Sequence, residues 1–238
     1  MGGQNTLAPN ATPVILAFYT MGDSRPSDGV PANAPAAAKL TNSQRYQARA
    51  QALATSGQTY GVAGIAAAIT TIQNLPSTLR LDKVYFVGHG FSNGYFFNGT
   101  PVGADDFTAT DAQVLKAPSS NPQYQSLMDE LAKHFTAADR FEIGFICCYS
   151  GAGGFVYSIK QAMDSKNFGN FLIGGFKNWY QTRYNYDLKS GAVTSWKDVT
   201  LNHQNNTKIA EAATNQLVPY EVTGIPANPI DPLQGILP

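Results

Sequence analysis

The sequence predicts a single α/β domain built on a mainly parallel sheet with helices on both faces. Short, nearly continuous apolar runs alternate along the chain with longer segments of helical periodicity. This alternation is typical of parallel strands that are buried on both faces by crossover helices. The chain has 238 residues, of which 43% are hydrophobic, and this length suffices for one large core.

Four apolar runs are predicted as strands of the sheet. In chain order they are PVILAFYT, DKVYFVG, RFEIGFIC and NFLIGGF, at residues 13–20, 82–88, 140–147 and 170–176. Between the first two runs, a long Pro/Ala-rich loop is expected over residues 21–40. Two hairpins are also expected, one turning at Asn98-Gly99 and the other at Ser190-Gly191.

Helices are predicted between these runs. Residues 41–55 combine strong helix formers with a Thr-Asn-Ser start, and the segment ending at Pro76 repeats apolar residues at helical spacing. Further helices are predicted in NPQYQSLMDELAKHF, FVYSIKQAMDSK and NNTKIAEAATNQL. We expect the α/β domain to span residues 13–217, between a flexible N-terminus (1–12) and a proline-rich extended tail (218–238).

Composition limits which binding partners and which cellular compartments the sequence predicts. Charged residues make up 13% of the chain, and 16 basic side chains balance 16 acidic ones, which gives no reason to expect nucleic acid as a partner. We expect no membrane span and no Sec signal. Two adjacent cysteines form a poor disulfide framework. These features indicate a cytoplasmic protein, or one exported without a Sec signal, and the Ala/Asn/Thr/Gly-rich composition favours a bacterial or phage origin.

His89 and Cys148 are the candidate catalytic pair. Each follows a predicted strand, in VYFVGHG and FEIGFICCYSG. Active crevices of open α/β sheets lie at the carboxyl ends of the strands. A thiolate is a strong nucleophile, and an imidazole beside it can assist its ionisation and protonate a leaving amine. Gly90 and Gly151 allow tight turns whose N–H groups can face an oxyanion.

These two motifs, with the histidine before the cysteine, resemble those of the caspase–legumain–gingipain (clan CD) cysteine peptidases. The pattern is most similar to bacterial CHAT-type and toxin self-cleaving domains, in which His-Gly precedes a short Gly-containing ribbon. The resemblance covers roughly residues 80–176 and the first strand. It implies a caspase-like three-layer sandwich with one further strand between the first two helices, for which GQTYGV is a poor match.

The resemblance also implies residue roles. Cys148 would be the nucleophile of an endopeptidase and His89 its general acid/base, with the N–H groups of Gly90 and Cys148 as the oxyanion hole. Trp179, Tyr180 and Arg183 would bind the substrate, a peptide or protein, and Arg183 would favour an acidic side chain on it. No metal or organic cofactor is expected, and the oligomeric state is left open.

Two other interpretations stay open. GFSNG fits the serine-nucleophile motif Gly-x-Ser-x-Gly with Ser92, and CYSGA nearly fits it with Ser150, so the chain would be a Ser-dependent α/β-hydrolase completed by Asp198 and His203. Alternatively, the fold is a catalytically inactive binding module with Cys148 in its core. His134 and His203 are interpreted as surface residues, because the scattered histidines lack the spacing of metal ligands.

Overall fold

A computed structural model describes residues 13–26, 36, 39–91, 94–101, 107–116, 123–135, 141–151, 155–164, 171–176, 178–187, 189–190, 193–202 and 208–211. The predicted N-terminal segment 1–12 and tail 218–238 lie outside these ranges. Four helices are α1 (Asn42–Leu53), α2 (Ile65–Gln73), α3 (Gln123–Ala132) and α4 (Phe155–Asp164). The strands, in chain order, are β1 (Pro13–Tyr19), β2 (Thr59–Gly61), β3 (Arg80–Val87), β4 (Gly90–Phe91), β5 (Gly94–Phe96), β6 (Thr100–Pro101), β7 (Phe107–Thr108), β8 (Val114–Lys116), β9 (Phe141–Ile146), β10 (Phe171–Gly175), β11 (Trp179–Tyr186), β12 (Val193–Leu201) and β13 (Lys208–Glu211).

The central sheet has five strands in the order β10-β9-β3-β1-β2, and every neighbouring pair is parallel. Helix α1 packs on one face of this sheet, and residues of α2, α3 and α4 contribute to the core on the other. The predicted α/β class, with a mainly parallel sheet covered on both faces, is therefore confirmed. The strands β1, β3 and β9 are adjacent in space although far apart in sequence.

A row of stacked phenylalanines fixes the register of these three strands. Phe18, Phe86 and Phe145 are direct register partners, and successive ring centroids are 5.5 and 4.8 Å apart. All three rings are fully buried on the face covered by α2–α4. Because side chains alternate along a strand, the next residues of the same strands point to the α1 face. A slip of one residue would exchange the two faces.

Smaller sheets surround the central one. Strands β4, β5 and β8 form an antiparallel ribbon that begins directly after His89, and β11, β12 and β13 form a second antiparallel sheet. The predicted hairpin at Ser190-Gly191 corresponds to the β11–β12 connection. The predicted turn at Asn98-Gly99 is wrong, because β5 pairs with β4 and β8, while Asn98 forms a bridge to Met21.

Two other local predictions need correction. GQTYGV contains β2, an edge strand of the central sheet that pairs with β1 over three residues, and so short a strand offers no readable periodicity. The helix predicted in NNTKIAEAATNQL is wrong over residues 208–211, which form β13 against β12. Pairing with an available strand has overridden local helix propensity there.

Candidate active site

Three chain segments meet at the carboxyl edge of the central sheet. Asp23 follows β1, His89 follows β3 and Cys148 follows β9, and these strands are immediate neighbours. Val87 and Ile146 are register partners, so His89 and Cys148 each lie two residues beyond the same paired position. The sequence predicts His89 and Cys148 at the carboxyl ends of strands, and the sheet order makes these two strands immediate neighbours.

His89 and Cys148 also belong to the same face of the sheet. Cys148 packs against the cluster on the α1 face, and so does Tyr46 of α1. The Tyr46 ring meets the His89 imidazole edge-on, with centroids 5.1 Å apart and planes at 81°. Cys147, in contrast, is fully buried in the cluster on the opposite face. The two adjacent cysteines therefore have different environments, as strand alternation requires.

The backbone of His89 is held on both sides. Its N–H donates to the Thr20 hydroxyl at 3.0 Å, and its carbonyl accepts from the Phe96 N–H at 3.1 Å. The same Thr20 hydroxyl donates to the Phe96 carbonyl at 2.6 Å. Gly88 has φ of +148°, and a Cβ there would collide with the Thr20 side chain. Glycine at position 88 thus lets β3 turn closely past β1 and presents the imidazole at the edge.

Asp23 is the residue that orients the imidazole. Its fully buried carboxylate lies 2.7 Å from His89 Nε2, and it also accepts from the Arg25 guanidinium at 3.0 Å and the Asn42 amide at 2.9 Å. Burial alone would raise the pKa of Asp23, but hydrogen bonds from His89, Arg25 and Asn42 outweigh it and hold this pKa well below its usual range. The carboxylate is therefore charged, and it fixes Nε2 as the nitrogen that faces it.

The hydroxyl of Tyr46 also lies against the imidazole. It is 3.3 Å from Nε2 and 3.4 Å from Nδ1 of His89. If Nε2 carries a proton toward Asp23, Nδ1 is the nitrogen with a lone pair. The arrangement defines an imidazole that is held by a charged carboxylate and contacted edge-on by an aromatic ring.

Cys148 lies in a tight turn after β9. Its side chain is partly exposed, and its thiol donates to the Tyr180 carbonyl at 3.2 Å. The following residue, Tyr149, adopts the left-handed conformation at φ +55°, which is uncommon for a side chain of this size and often marks a functional turn. Burial raises the pKa of the Cys147 thiol well above its usual range. Of the two cysteines, Cys148 therefore has the more accessible thiol.

The predicted oxyanion residue Gly90 lies beside the Cys148 turn. A Cβ at Gly90 would collide with the Cys147 side chain and come within 3.0 Å of the Cys148 carbonyl oxygen. The start of the β4–β5 ribbon and the cysteine turn are thus in direct contact. This closeness brings the backbone of both predicted oxyanion residues to one place at the edge of the sheet.

The predicted substrate-binding residues all lie in β11. Tyr180 is buried, its hydroxyl donates to Asp198 at 2.8 Å, and its ring stacks on Phe176. Its side chain therefore points away from solvent, and its carbonyl is the group that meets Cys148. The side chains of Trp179 and Arg183 lie outside the described part of the chain.

The structure describes some of the residues named for the Ser-dependent alternative, and also His134. Ser92 and His203 lie outside the described residues. The hydroxyl of Ser150 is fully buried and lies 3.1 Å from the carbonyls of Phe145 and Cys147, which is a structural role. Asp198 is fully buried and paired with Arg49. The prediction that His134 is a surface residue is wrong, because the residue is 5% exposed and its Nδ1 lies 3.1 Å from the Leu79 carbonyl oxygen.

Sequence reasoning missed two functional candidates, Asp23 and Tyr46, and it considered Asp198 only as part of the Ser-dependent alternative. A signal for Asp23 did exist, since MGDS follows a strand whose end must share an edge with the other parallel strands. Tyr46 is one of several polar and aromatic residues in a predicted helix, and Asp198 is 149 positions from Arg49. Neither had a local pattern to distinguish it.

Two further properties of the described residues concern metal binding and membrane insertion. Among these residues, no group of three or more His, Cys, Asp or Glu side chains could hold a metal ion. No helix there has the length and apolar character to cross a membrane. Comparison with protein-family models, with curated proteins and with solved structures found no match in any of the three.

Proposed function

We propose that the chain is a cysteine endopeptidase of caspase-like type, with Cys148 as nucleophile and His89 as general acid/base. The observation that carries the proposal is the Asp23–His89 pair, 2.7 Å apart, at the strand end next to the one that bears Cys148 and on the same face of the sheet. A buried carboxylate fixes the orientation of the imidazole, and the thiol at the neighbouring strand end is the group that could supply a proton to it.

In the proposed reaction, the Cys148 thiol gives its proton to His89 Nδ1, and the thiolate attacks the carbonyl carbon of the scissile peptide bond. The carbonyl oxygen becomes an oxyanion that accepts from the N–H groups of Gly90 and Cys148. The C–N bond then breaks, and His89 returns the proton to the leaving amine. Water, deprotonated by His89, hydrolyses the resulting thioester and regenerates the thiol.

Asp23 supports each of these steps without touching the substrate. Its charge stabilises the imidazolium that forms when the thiol is deprotonated, and its hydrogen bond keeps Nδ1 available as the base. Because Asn42 and Arg25 also hold the carboxylate, the imidazole has a fixed rather than a mobile partner. Preorganisation of this kind is what general acid–base catalysis requires.

The test is covalent labelling of the full chain with peptidyl acyloxymethyl ketones, with mass spectrometry to locate the modified residue. We expect labelling of Cys148, loss of labelling in Cys148→Ala, and labelling retained in Cys147→Ala, the matched control one residue away. His89→Gln should slow labelling at least tenfold. Cleavage of a peptide library by the wild type would then define the substrate, and Arg183→Glu would test the expected acidic preference.

Two outcomes would contradict the proposal. If a serine-directed phosphonate labels Ser92 and the ketones leave Cys148 unmodified, the chain is a Ser-dependent hydrolase. If neither class of reagent reacts while the protein is folded, the fold acts as a binding module. Labelling of Cys148 at a rate that His89→Gln leaves unchanged would show a reactive thiol with no catalytic partner.

A further inference from the structure

A buried ion pair joins α1 to the second sheet. Arg49 of α1 and Asp198 of β12 are both fully buried, and the guanidinium NH2 group lies 2.6 Å from Asp198 Oδ2. The same guanidinium stacks on the Trp196 ring, 3.2 Å from its centroid. Buried ion pairs lose much of their attraction to desolvation, so stability alone is a weak reason for this one. Fixing the orientation of groups around it is a better reason.

Tyr180 is the group that the ion pair orients. Its hydroxyl donates to the second carboxylate oxygen of Asp198 at 2.8 Å. Its ring stacks on Phe176 with centroids 4.4 Å apart and planes at 18°. Tyr180 is therefore held at its tip by a charged acceptor and along its ring by an aromatic neighbour, which leaves its backbone little freedom to shift.

The backbone next to Tyr180 is bonded to the cysteine turn at three points. The Tyr180 carbonyl accepts from the Cys148 thiol at 3.2 Å, the Asn178 carbonyl accepts from the Tyr149 N–H at 3.2 Å, and the Phe176 carbonyl accepts from the Gly151 N–H at 3.0 Å. A continuous chain of contacts thus runs from Arg49 through Asp198 and Tyr180 to the sulfur of Cys148.

We propose that Asp198 is a positioning residue for the Cys148 thiol and that it acts through the carbonyl of Tyr180. The catalytic meaning of this role rests on the proposed function, but the positioning itself can be measured on the thiol. A carbonyl that accepts from S–H stabilises the neutral thiol relative to the thiolate. Releasing Tyr180 from Asp198 should therefore make the thiolate form at lower pH.

The test is the pH–rate profile of iodoacetamide alkylation of the folded full chain, between about pH 5 and pH 10. Cys148→Ala gives the background, since Cys147 is buried. Tyr180→Phe removes the hydroxyl and keeps the ring stack and the carbonyl. We expect its alkylation midpoint to fall by about half a pH unit, the scale of one weak hydrogen bond. Asp198→Asn should shift the midpoint in the same direction.

A matched control comes from the same hairpin. Asn185 of β11 donates to Ser195 of β12 at 2.9 Å on the exposed side, so Asn185→Ala removes a cross-strand hydrogen bond that is not connected to Cys148. Its midpoint should equal that of the wild type. Among the described residues, the charged and titratable side chains at this edge include Asp23 after β1, Tyr46 and Arg49 on α1, His89 after β3 and Asp198 on β12. Tyr180→Phe leaves all of them in place.

The outcomes separate this inference from the proposed function. If Tyr180→Phe is folded and its midpoint matches the wild type, the positioning role is refuted, even where peptide cleavage is observed. An equal shift in Asn185→Ala would refute it as well, because general loosening of the hairpin would then explain the effect. A shift confined to Tyr180→Phe and Asp198→Asn, in a protein that cleaves no peptide, would support the positioning and count against the peptidase.

Discussion

Replacing Asp23 with asparagine tests the central pair of the site with the smallest change in shape. The carboxylate accepts from His89 Nε2, the Asn42 amide and the Arg25 guanidinium through Oδ2, and from the Arg25 N–H and Nε through Oδ1. All of these partners are donors, so the NH2 group of an asparagine would face a donor in either orientation. We expect the amide oxygen to keep His89 and Asn42, because Arg25 is 48% exposed and can turn toward water.

The expected loss of stability in Asp23→Asn follows from which hydrogen-bond partners the amide oxygen keeps. A hydrogen bond to a charged group contributes about 1.5–3 kcal/mol and a neutral one about 0.5–1.5 kcal/mol, so losing the charge costs about 1–2 kcal/mol. The Arg25 backbone N–H would then face the NH2 group of the asparagine, which adds a further fraction. We expect Asp23→Asn to lower the free energy of unfolding by about 2 kcal/mol. For a chain of this size that corresponds to a fall in Tm of about 4–8 °C. Peptide cleavage should fall by about 10²-fold, the scale of general acid–base assistance.

The stability that Asp23 contributes should decrease as the pH falls. A carboxylate with a lower pKa in the folded than in the unfolded state adds stability that is fully present above its unfolded pKa, about 3.9, and is lost as the pH falls toward its folded value. Because the pKa of Asp23 is lowered in the folded protein, the wild type should lose more stability than Asp23→Asn between about pH 6 and pH 2. Thermal unfolding followed by circular dichroism at a series of pH values measures this difference.

Asp187→Asn is the matched control, since Asp187 is an exposed carboxylate that accepts from the backbone of Lys189 and Ser190. Water screens such a group, so its Tm and activity should stay near those of the wild type. The reasoning about Asp23 would be refuted if Asp23→Asn unfolded at the wild-type temperature at pH 7. Equal acid sensitivity of the variant and the wild type would refute it independently.

Two further predictions concern the scaffold. Gly88→Ala should destabilise the protein by more than about 2 kcal/mol in chemical denaturation, because the added Cβ would collide with Thr20. Gly57 is the control: it has φ of +80° and open space around it. Gly57→Ala should therefore cost only the conformational strain of about 1 kcal/mol. Thr41→Ala removes the capping box of α1 that Thr41 forms with Gln44 and should cost about 1 kcal/mol in the same assay. A Gly88→Ala loss no larger than that of Gly57→Ala would contradict the first prediction.

The architecture of the central sheet could be predicted because its signals are local. Runs such as FEIGFI are buried at every position, and a short apolar run of that kind is typical of a buried strand. β2 and β13 escaped prediction because their pairing depends on a partner strand rather than on their own residues. Thr59–Gly61 pairs with β1 but is only three residues long. Lys208–Glu211 pairs with β12, although Lys, Ala and Glu are depleted in strands.

The residues of the candidate site also fall into two groups, those with a local sequence signal and those that depend on distant partners. His89 and Cys148 immediately follow strands, so strand prediction alone brings them to one edge. Asp23 is four residues past the end of β1, and its use depends on how the loop returns to Asn42 and His89. The contact between Arg49 and Asp198 joins two distant segments, and one sequence carries no information on which of several charged residues will be buried together.

The stacked phenylalanines explain why the two predicted residues share a face as well as an edge. Phe86 and Phe145 are register partners on the face covered by α2–α4. His89 and Cys148 each lie three positions further along, and an odd offset places both on the opposite face, beside α1. A one-residue slip between β3 and β9 would bury one of the two in the main core and would also break the aromatic stack, at a cost of about 0.5–1.5 kcal/mol for each ring pair beyond the lost burial. The packing that stabilises the sheet is therefore the same packing that sets the imidazole and the thiol on one side of it.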